Sequence, residues 1–308
     1  MSTGLAAVYF LVSLVATLYA AAVFAERLDH LGERLGLPEG LLGLLTALGA
    51  DAPELSTAIA ALASGAKAVG FGVVVGSNVF NLAAMIGLSA VVCGRVHIKR
   101  DALALEGGVA LGVTLVAVLF SFGVLPAWAT VALEAVILVP YAAVAFRREL
   151  EERTHPPQVD VRALLLIPPA LAVIVLGSIG MVHAALRLGD AAGMPSVLVG
   201  VLVLAVVTSL PNAYTGVRLG LARRGSALVS ETMNSNTINL VGGLAIPALF
   251  VTASVRSGLE RADGIWLLAA TALALGLLAP RRGMGRLGGM VLVASWVAFA
   301  VVQGIVGG

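Results

Sequence analysis

The chain predicts an all-α polytopic membrane protein with ten transmembrane helices arranged as two inverted five-helix repeats. Three observations carry that prediction. Hydrophobic residues make up 59% of the chain and charged residues only 12%, against roughly 25% charged in soluble domains. Ten apolar runs long enough to span a bilayer follow one another with short polar loops between them. Two polar motifs inside those runs are copies at a constant offset of 158 residues. The first reads Asp51-Ala52-Pro53-Glu54, then Gly76-Ser77-Asn78-Val79-Phe80-Asn81; the second reads Ser209-Leu210-Pro211-Asn212, then Asn234-Ser235-Asn236-Thr237-Ile238-Asn239.

The first run, 4–25, has no Lys or Arg before it, so it lacks the charged region of a secretory signal and reads as a retained helix. Runs at 39–64 and 67–92 hold the first polar motif, and runs at 102–123 and 126–146 complete a first repeat over residues 1–146. Residues 147–160 form a charged, proline-containing connector too short to be a domain. The second repeat, 161–308, has runs at 161–187, 195–222, 225–252, 262–280 and 287–306, with the second motif on its second and third helices.

Loop charge tests the count. Alternate loops separate the 19 Lys and Arg residues into 15 on one side, from Arg27 to Arg286, and four on the other: Lys67, Arg187, Arg256 and Arg261. By the positive-inside rule this puts both termini outside and the connector in the cytoplasm, in a plasma (inner) membrane. Five helices per half is an odd number, so the second half crosses the membrane upside down relative to the first. Inverted repeats of this kind build transport sites between their halves, near the midplane.

Other classes find no support. The net charge of +2 is scattered through loops, which argues against a nucleic-acid partner. A single cysteine, Cys93, excludes an internal disulfide and a cysteine zinc site. No phosphate-binding loop, zinc-binding helix motif, nucleophile elbow or dinucleotide fingerprint is present, so no enzyme activity, nucleotide or cofactor is expected.

Chemistry concentrates at the duplicated motifs. Pro53 and Pro211 fall near mid-span, where proline removes a helical hydrogen bond and bends the chain. Carboxylates at membrane depth are rarely kept without a function, and Asp51 and Glu54 share a helix face at a spacing of three. Their repulsion would be relieved by a divalent cation or a shared proton. Ser77 with Asn81, and Ser235 with Asn239, each present a hydroxyl and an amide from one face; such oxygens suit hard cations. A lone pair of this type usually bonds between helices, but two inverted copies opposite an acidic kink favour an ion site. Glu231, one turn before Ser235, lies near the site or on its cytoplasmic approach, whereas Glu134 and His183 read as packing or entrance residues.

The motifs resemble the alpha repeats of the calcium/cation antiporter superfamily, the sodium/calcium exchangers and their relatives. The resemblance implies the sodium/calcium exchanger fold over the whole chain. It implies a cation site built from Asp51, Glu54, Ser77, Asn81, Thr208, Ser209, Asn212, Ser235 and Asn239, with backbone carbonyls near Ala47 and Ala205. The second repeat departs from the family pattern: Asn212 stands where the family has an acid, and Asn239 where many exchangers have Asp. Asp51 stands where Ser or Thr is usual. The expected function is secondary antiport of inorganic cations across the lipid bilayer, Ca²⁺ against Na⁺ or H⁺. Two alternatives remain: a monovalent Na⁺/H⁺ exchanger, and a transport-inactive membrane homologue with an assembly or regulatory role.

Overall fold

The computed structural model describes residues 2–34, 39–150, 161–251 and 258–306. Ten helical segments run through these residues. The first half has α1 (Thr3–Arg34), α2 (Glu39–Ala63), α3 (Lys67–Cys93), α4 (Arg100–Ser121) and α5 (Ala127–Leu150). The second half has α6 (Val161–Ala191), then α7, broken into α7a (Ser196–Thr208) and α7b (Leu210–Leu221). It continues with α8 (Gly225–Leu240), prolonged by a π-helical turn at Val241–Ala245, and ends with α9 (Gly258–Leu278) and α10 (Arg286–Val306). Two residue pairs, Arg95–Val96 and Met284–Gly285, add an antiparallel bridge that ties the α3–α4 loop to the α9–α10 loop. The predicted connector lies outside the described residues from 151 to 160, as do Arg153 and Arg256 of the loop-charge count; its first residues continue α5 as helix.

Helix starts pair as Thr3 with Val161, Glu39 with Ser196, Lys67 with Gly225, Arg100 with Gly258 and Ala127 with Arg286. The 158-residue offset read from two motifs therefore extends, within one residue, to all five helices. Finer details repeat too. The turns before α3 and α8 contain left-handed residues at Gly65 (φ 84°) and Arg223 (φ 57°), which are offset counterparts. The π-helical stretches Leu82–Gly87 and Val241–Ala245 also correspond.

Among the described residues, six helices are individually long and apolar enough to cross a membrane, and the bent α7 makes a seventh; α5 contributes a shorter apolar stretch, Ala127–Ala143. The two remaining helices, α2 and α8, carry Asp51 with Glu54 and Ser235 with Asn239; α3 and α7 carry the other half of each motif. The outside of the bundle is apolar: Leu5, Val12 and Val15 on α1, Leu165 and Leu176 on α6, and Val301 and Ile305 on α10 are all exposed. This inverts the soluble pattern, because the surrounding solvent is hydrocarbon. The polar side chains are inside instead, with Asp51, Glu54, Asn78, Asn81, Ser235 and Asn239 all buried.

Small residues bring the central helices together. Gly72 and Gly76 on α3 face α7a; a Cβ on Gly76 would lie 2.6 Å from the Val201 carbonyl oxygen. Gly200 on α7a makes the reciprocal approach to Val69 on α3. At such contacts backbones meet at van der Waals distance, which is the chief source of helix association in lipid. The outer pair α1 and α6 lie against each other in the same way, Gly177 and Gly180 receiving Ser13 and Thr17.

The two prolines act differently. Pro53 lies inside a continuous α2, whereas Pro211 sits in the first turn of α7b, just after a 47° bend at Ser209. A proline tolerates a helix start because the missing N–H has no helical acceptor there. The expectation of a bend at both positions is met at the second; at the first, the helix absorbs the proline.

Candidate functional site

Four helices place polar groups at the centre of the bundle. Asp51 and Glu54 come from α2, Asn78 and Asn81 from α3, Asn212 from α7b, and Ser235, Asn236 and Asn239 from α8. The spacing of three brings Asp51 and Glu54 onto one face, as expected, and a single amide bridges them. Asn212 Nδ2 lies 2.8 Å from Asp51 Oδ1 and 3.1 Å from Glu54 Oε1. The Ser235 hydroxyl donates to the same Asp51 oxygen at 2.5 Å. Asn239 Nδ2 donates to Glu54 Oε2 and, at 3.3 Å, reaches Asn78 Oδ1. Asn81 Nδ2 approaches Ser235 Oγ at 3.3 Å and Asn236 Oδ1 at 3.4 Å. None of Asp51, Glu54, Asn212, Ser235 and Asn239 is more than 1% exposed, so the cluster is closed to both sides.

Asn212 Nδ2 also lies 3.2 Å from Ser235 Oγ, giving it three acceptors. An amide has only two hydrogens, so at most two of those bonds form at once. Several oxygens are left over. Asp51 Oδ2, Asn81 Oδ1 and Asn239 Oδ1 are buried without a hydrogen-bond partner. An unpartnered buried acceptor costs about 1–3 kcal/mol, and this cluster concentrates them around two carboxylates.

The structure does not draw every predicted residue into this network. Thr208 bonds back to the carbonyls of Leu204 (2.8 Å) and Ala205 (3.3 Å) within its own helix. Ser77 does the same to Val74 at 3.2 Å. Both are fully buried. Each hydroxyl donates its one proton within its own helix and keeps lone pairs that can accept. Glu231 is within electrostatic reach of Asp51, Glu134 is buried with both carboxylate oxygens unpartnered, and His183 bonds to Ile179 of its own helix. Among the described residues no group of three or more His, Cys, Asp and Glu side chains is arranged to hold a metal. Any cation here must rely on neutral oxygens for most of its ligands.

Asn78 and Asn236 were legible only as matched letters. The structure gives them a place: Asn78 Nδ2 donates to the Asn236 carbonyl and Asn236 Nδ2 to the Asn78 carbonyl, each at 3.0 Å. These residues are 158 apart, so the contact joins equivalent positions of the two repeats. The signal was present in the offset, but nothing in the sequence said that the counterparts touch.

The sodium/calcium exchanger protein family matches twice, over residues 5–146 and 163–305. The chain belongs to the sodium/calcium exchanger protein family. The two matches begin 158 residues apart, at the offset of the helices, and this exchanger therefore carries the family unit once in each half. It is 23% identical over 341 residues to the sodium/calcium exchanger MaX1 of Methanosarcina acetivorans, covering 95% of this chain and 96% of that protein. Its fold is similar to that of native YfkE, with a TM-score of 0.69, 21% identity and coverage of 95% of this chain and 91% of the other. It is also similar to the sodium-calcium exchanger NCX_Mj soaked with 10 mM Na⁺ and zero Ca²⁺: TM-score 0.65, 20% identity, coverage of 98% and 99%. As a member of this family the chain is an integral membrane cation antiporter.

Proposed function

We propose that this exchanger moves Ca²⁺ against Na⁺ or H⁺ through the buried cluster of Asp51, Glu54, Asn212, Ser235 and Asn239. The observation that carries the reading is the set of unpartnered oxygens at the two carboxylates, Asp51 Oδ2, Asn81 Oδ1 and Asn239 Oδ1. All are hard oxygen donors of the kind that Ca²⁺ and Na⁺ take. The two carboxylates supply the charge that one divalent or two monovalent cations balance. Thr208 and Ser77 join as ligands through the hydroxyl lone pairs that their own-helix bonds leave free.

The asparagines explain how the site works with two acids. Turned one way, the amides of Asn212 and Asn239 donate to Asp51 and Glu54. A half-turn of either amide exchanges donor for acceptor. The same residues then hold the carboxylates apart when no cation is present and add oxygens to one that arrives. An acid at either position would coordinate the ion but could not quiet the carboxylates between ions.

Access would alternate by movement of the α1–α6 pair along α2 and α7, with both termini outside and the connector in the cytoplasm. Uptake of radiolabelled calcium into proteoliposomes under an imposed Na⁺ or pH gradient tests the reading. Gradient-driven uptake that disappears in Glu54→Gln is expected; absence of uptake, or full uptake by the variant, overturns it. The neutral residues at 212 and 239 favour a second reading, exchange of monovalent cations. Sodium binding indifferent to calcium would select it.

A further inference from the structure

A second polar group lies between the central cluster and one end of the bundle. Glu106 on α4 accepts hydrogen bonds from the Tyr141 hydroxyl on α5 at 2.9 Å and from Ser230 on α8 at 3.2 Å. The same Tyr141 hydroxyl reaches Asn234 Oδ1, one turn further along α8, at 3.1 Å. Asn234 precedes Ser235, whose hydroxyl donates to Asp51. Glu231 lies between, with Oε1 unpartnered and with both Asp51 and Arg224 in electrostatic reach. Three helices thus line up polar groups from the arginine-bearing ends of α4 and α8 toward the central carboxylates.

Exposure gives this path its meaning. Glu106, Tyr141, Ser230, Glu231 and Asn234 are all only half-buried, while the central cluster is sealed. A half-exposed carboxylate at this depth is tolerated only if it faces water or other protein. Glu106 lies in the second turn of α4 and Ser230 in the second turn of α8, at the same end of the bundle.

The opposite repeat supplies the control. Adding 158 to Glu106 and Tyr141 gives Gly264 and Phe299; subtracting it from Ser230, Glu231 and Asn234 gives Gly72, Val73 and Gly76. Every counterpart is apolar. Phe299 and Val73 are buried, and Gly72 and Gly76 lie in van der Waals contact with α7a. The counterpart helices α9 and α10 carry a polar pair of their own, Gln303 donating to Asp263, but both side chains are buried, so among the described residues the half-exposed polar path lies in one repeat only.

We propose that the aqueous route to the central cluster runs along α8 past Glu106, Tyr141 and Asn234, with Glu106 its outer cation-attracting carboxylate, and that the pseudo-equivalent flank is sealed. The cation-exchange reading supplies the identity of what moves along the route; the route itself can be tested without transport. In a Cys93→Ser background, Ser230→Cys, Asn234→Cys, Val73→Cys and Phe299→Cys are each exposed to a positively charged, water-soluble methanethiosulfonate. Modification at 230 and 234 is expected to be roughly tenfold or more faster than at 73 and 299, because a thiol in apolar packing is inert. Equal rates at all four positions, or no modification at 230 and 234, overturn the proposal. In flux assays Glu106→Gln should raise the cation concentration for half-maximal uptake by about tenfold, the scale of electrostatic focusing by a charged cleft, and leave the maximal rate nearly unchanged. An unchanged half-saturation overturns the role of Glu106. Labelling as expected in a protein that carries no cation flux supports the route and overturns the exchange reading instead.

Discussion

Asn78 and Asn236 each donate a side-chain amide hydrogen to the main-chain carbonyl of the other, at 3.0 Å in both directions. Around this reciprocal pair the next contacts also repeat. Asn81 reaches Asn236 Oδ1 at 3.4 Å, and its counterpart Asn239 reaches Asn78 Oδ1 at 3.3 Å. Glu54 and Asn212, also 158 apart, bond directly at 3.1 Å. The pseudo-two-fold axis therefore passes through the polar cluster itself.

Removing either side chain of the reciprocal pair deletes one of the two hydrogen bonds across the axis, while the helix still supplies a donor to the carbonyl it leaves, as Leu82 N–H does for Asn78. Such a bond is worth about 0.5–1.5 kcal/mol. Asn78→Ala and Asn236→Ala should lower thermal stability in detergent by similar amounts. Each bond runs from one side chain to the other residue's main chain, so each single variant removes one bond and the double variant should lose about the sum of the two. A double-variant loss well below that sum would mean that the two bonds do not act independently.

Asn212 bridges two carboxylates with its donors, so Asn212→Glu replaces the bridge with a third buried acid. Stability should then depend on cations. The melting temperature of this variant in cation-free buffer should fall below that of the parent and recover as calcium is added, following mass action on the folded state. A melting temperature insensitive to calcium would argue that no cation meets these residues.

Close packing of α3 on α7a predicts a sharp positional contrast among glycines. A side chain on Gly76 would meet the Val201 backbone at 2.6 Å, whereas nothing lies within 4 Å of Gly108. Overpacking a tight contact costs about 1–3 kcal/mol or more. Gly76→Val should lose monodisperse protein on size-exclusion chromatography, and Gly108→Val should keep it.

The prolines separate stability from shape. Pro53 interrupts a helix interior, a defect worth about 3 kcal/mol; Pro211 begins α7b, where it costs little. Pro53→Ala should raise the melting temperature more than Pro211→Ala does. Equal gains would contradict the continuous α2.

The span count, the offset of 158 and the inverted halves were legible because apolar length and motif spacing are properties of the chain alone. The candidate residues were legible for the same reason: Asp51, Glu54 and the two Ser–Asn pairs are polar where the bilayer penalises polarity. The α4–α5–α8 path was not. Glu106 and Tyr141 sit 35 residues apart on different helices, and only side-chain packing makes them neighbours of Asn234. The route had a single outward sign, Glu231 one turn before the second motif.

By itself the sequence determined that two halves must fold alike in opposite senses, since each carries the same helices and the same buried punctuation. Tertiary structure decided which equivalent residues meet on the axis and which diverge. It let Asn212, and not an acid, bridge Asp51 to Glu54, and it aimed Thr208 and Ser77 into their own helices. Helical periodicity is written along one chain, but a hydrogen bond across 158 residues depends on how closely the glycines allow two helices to approach.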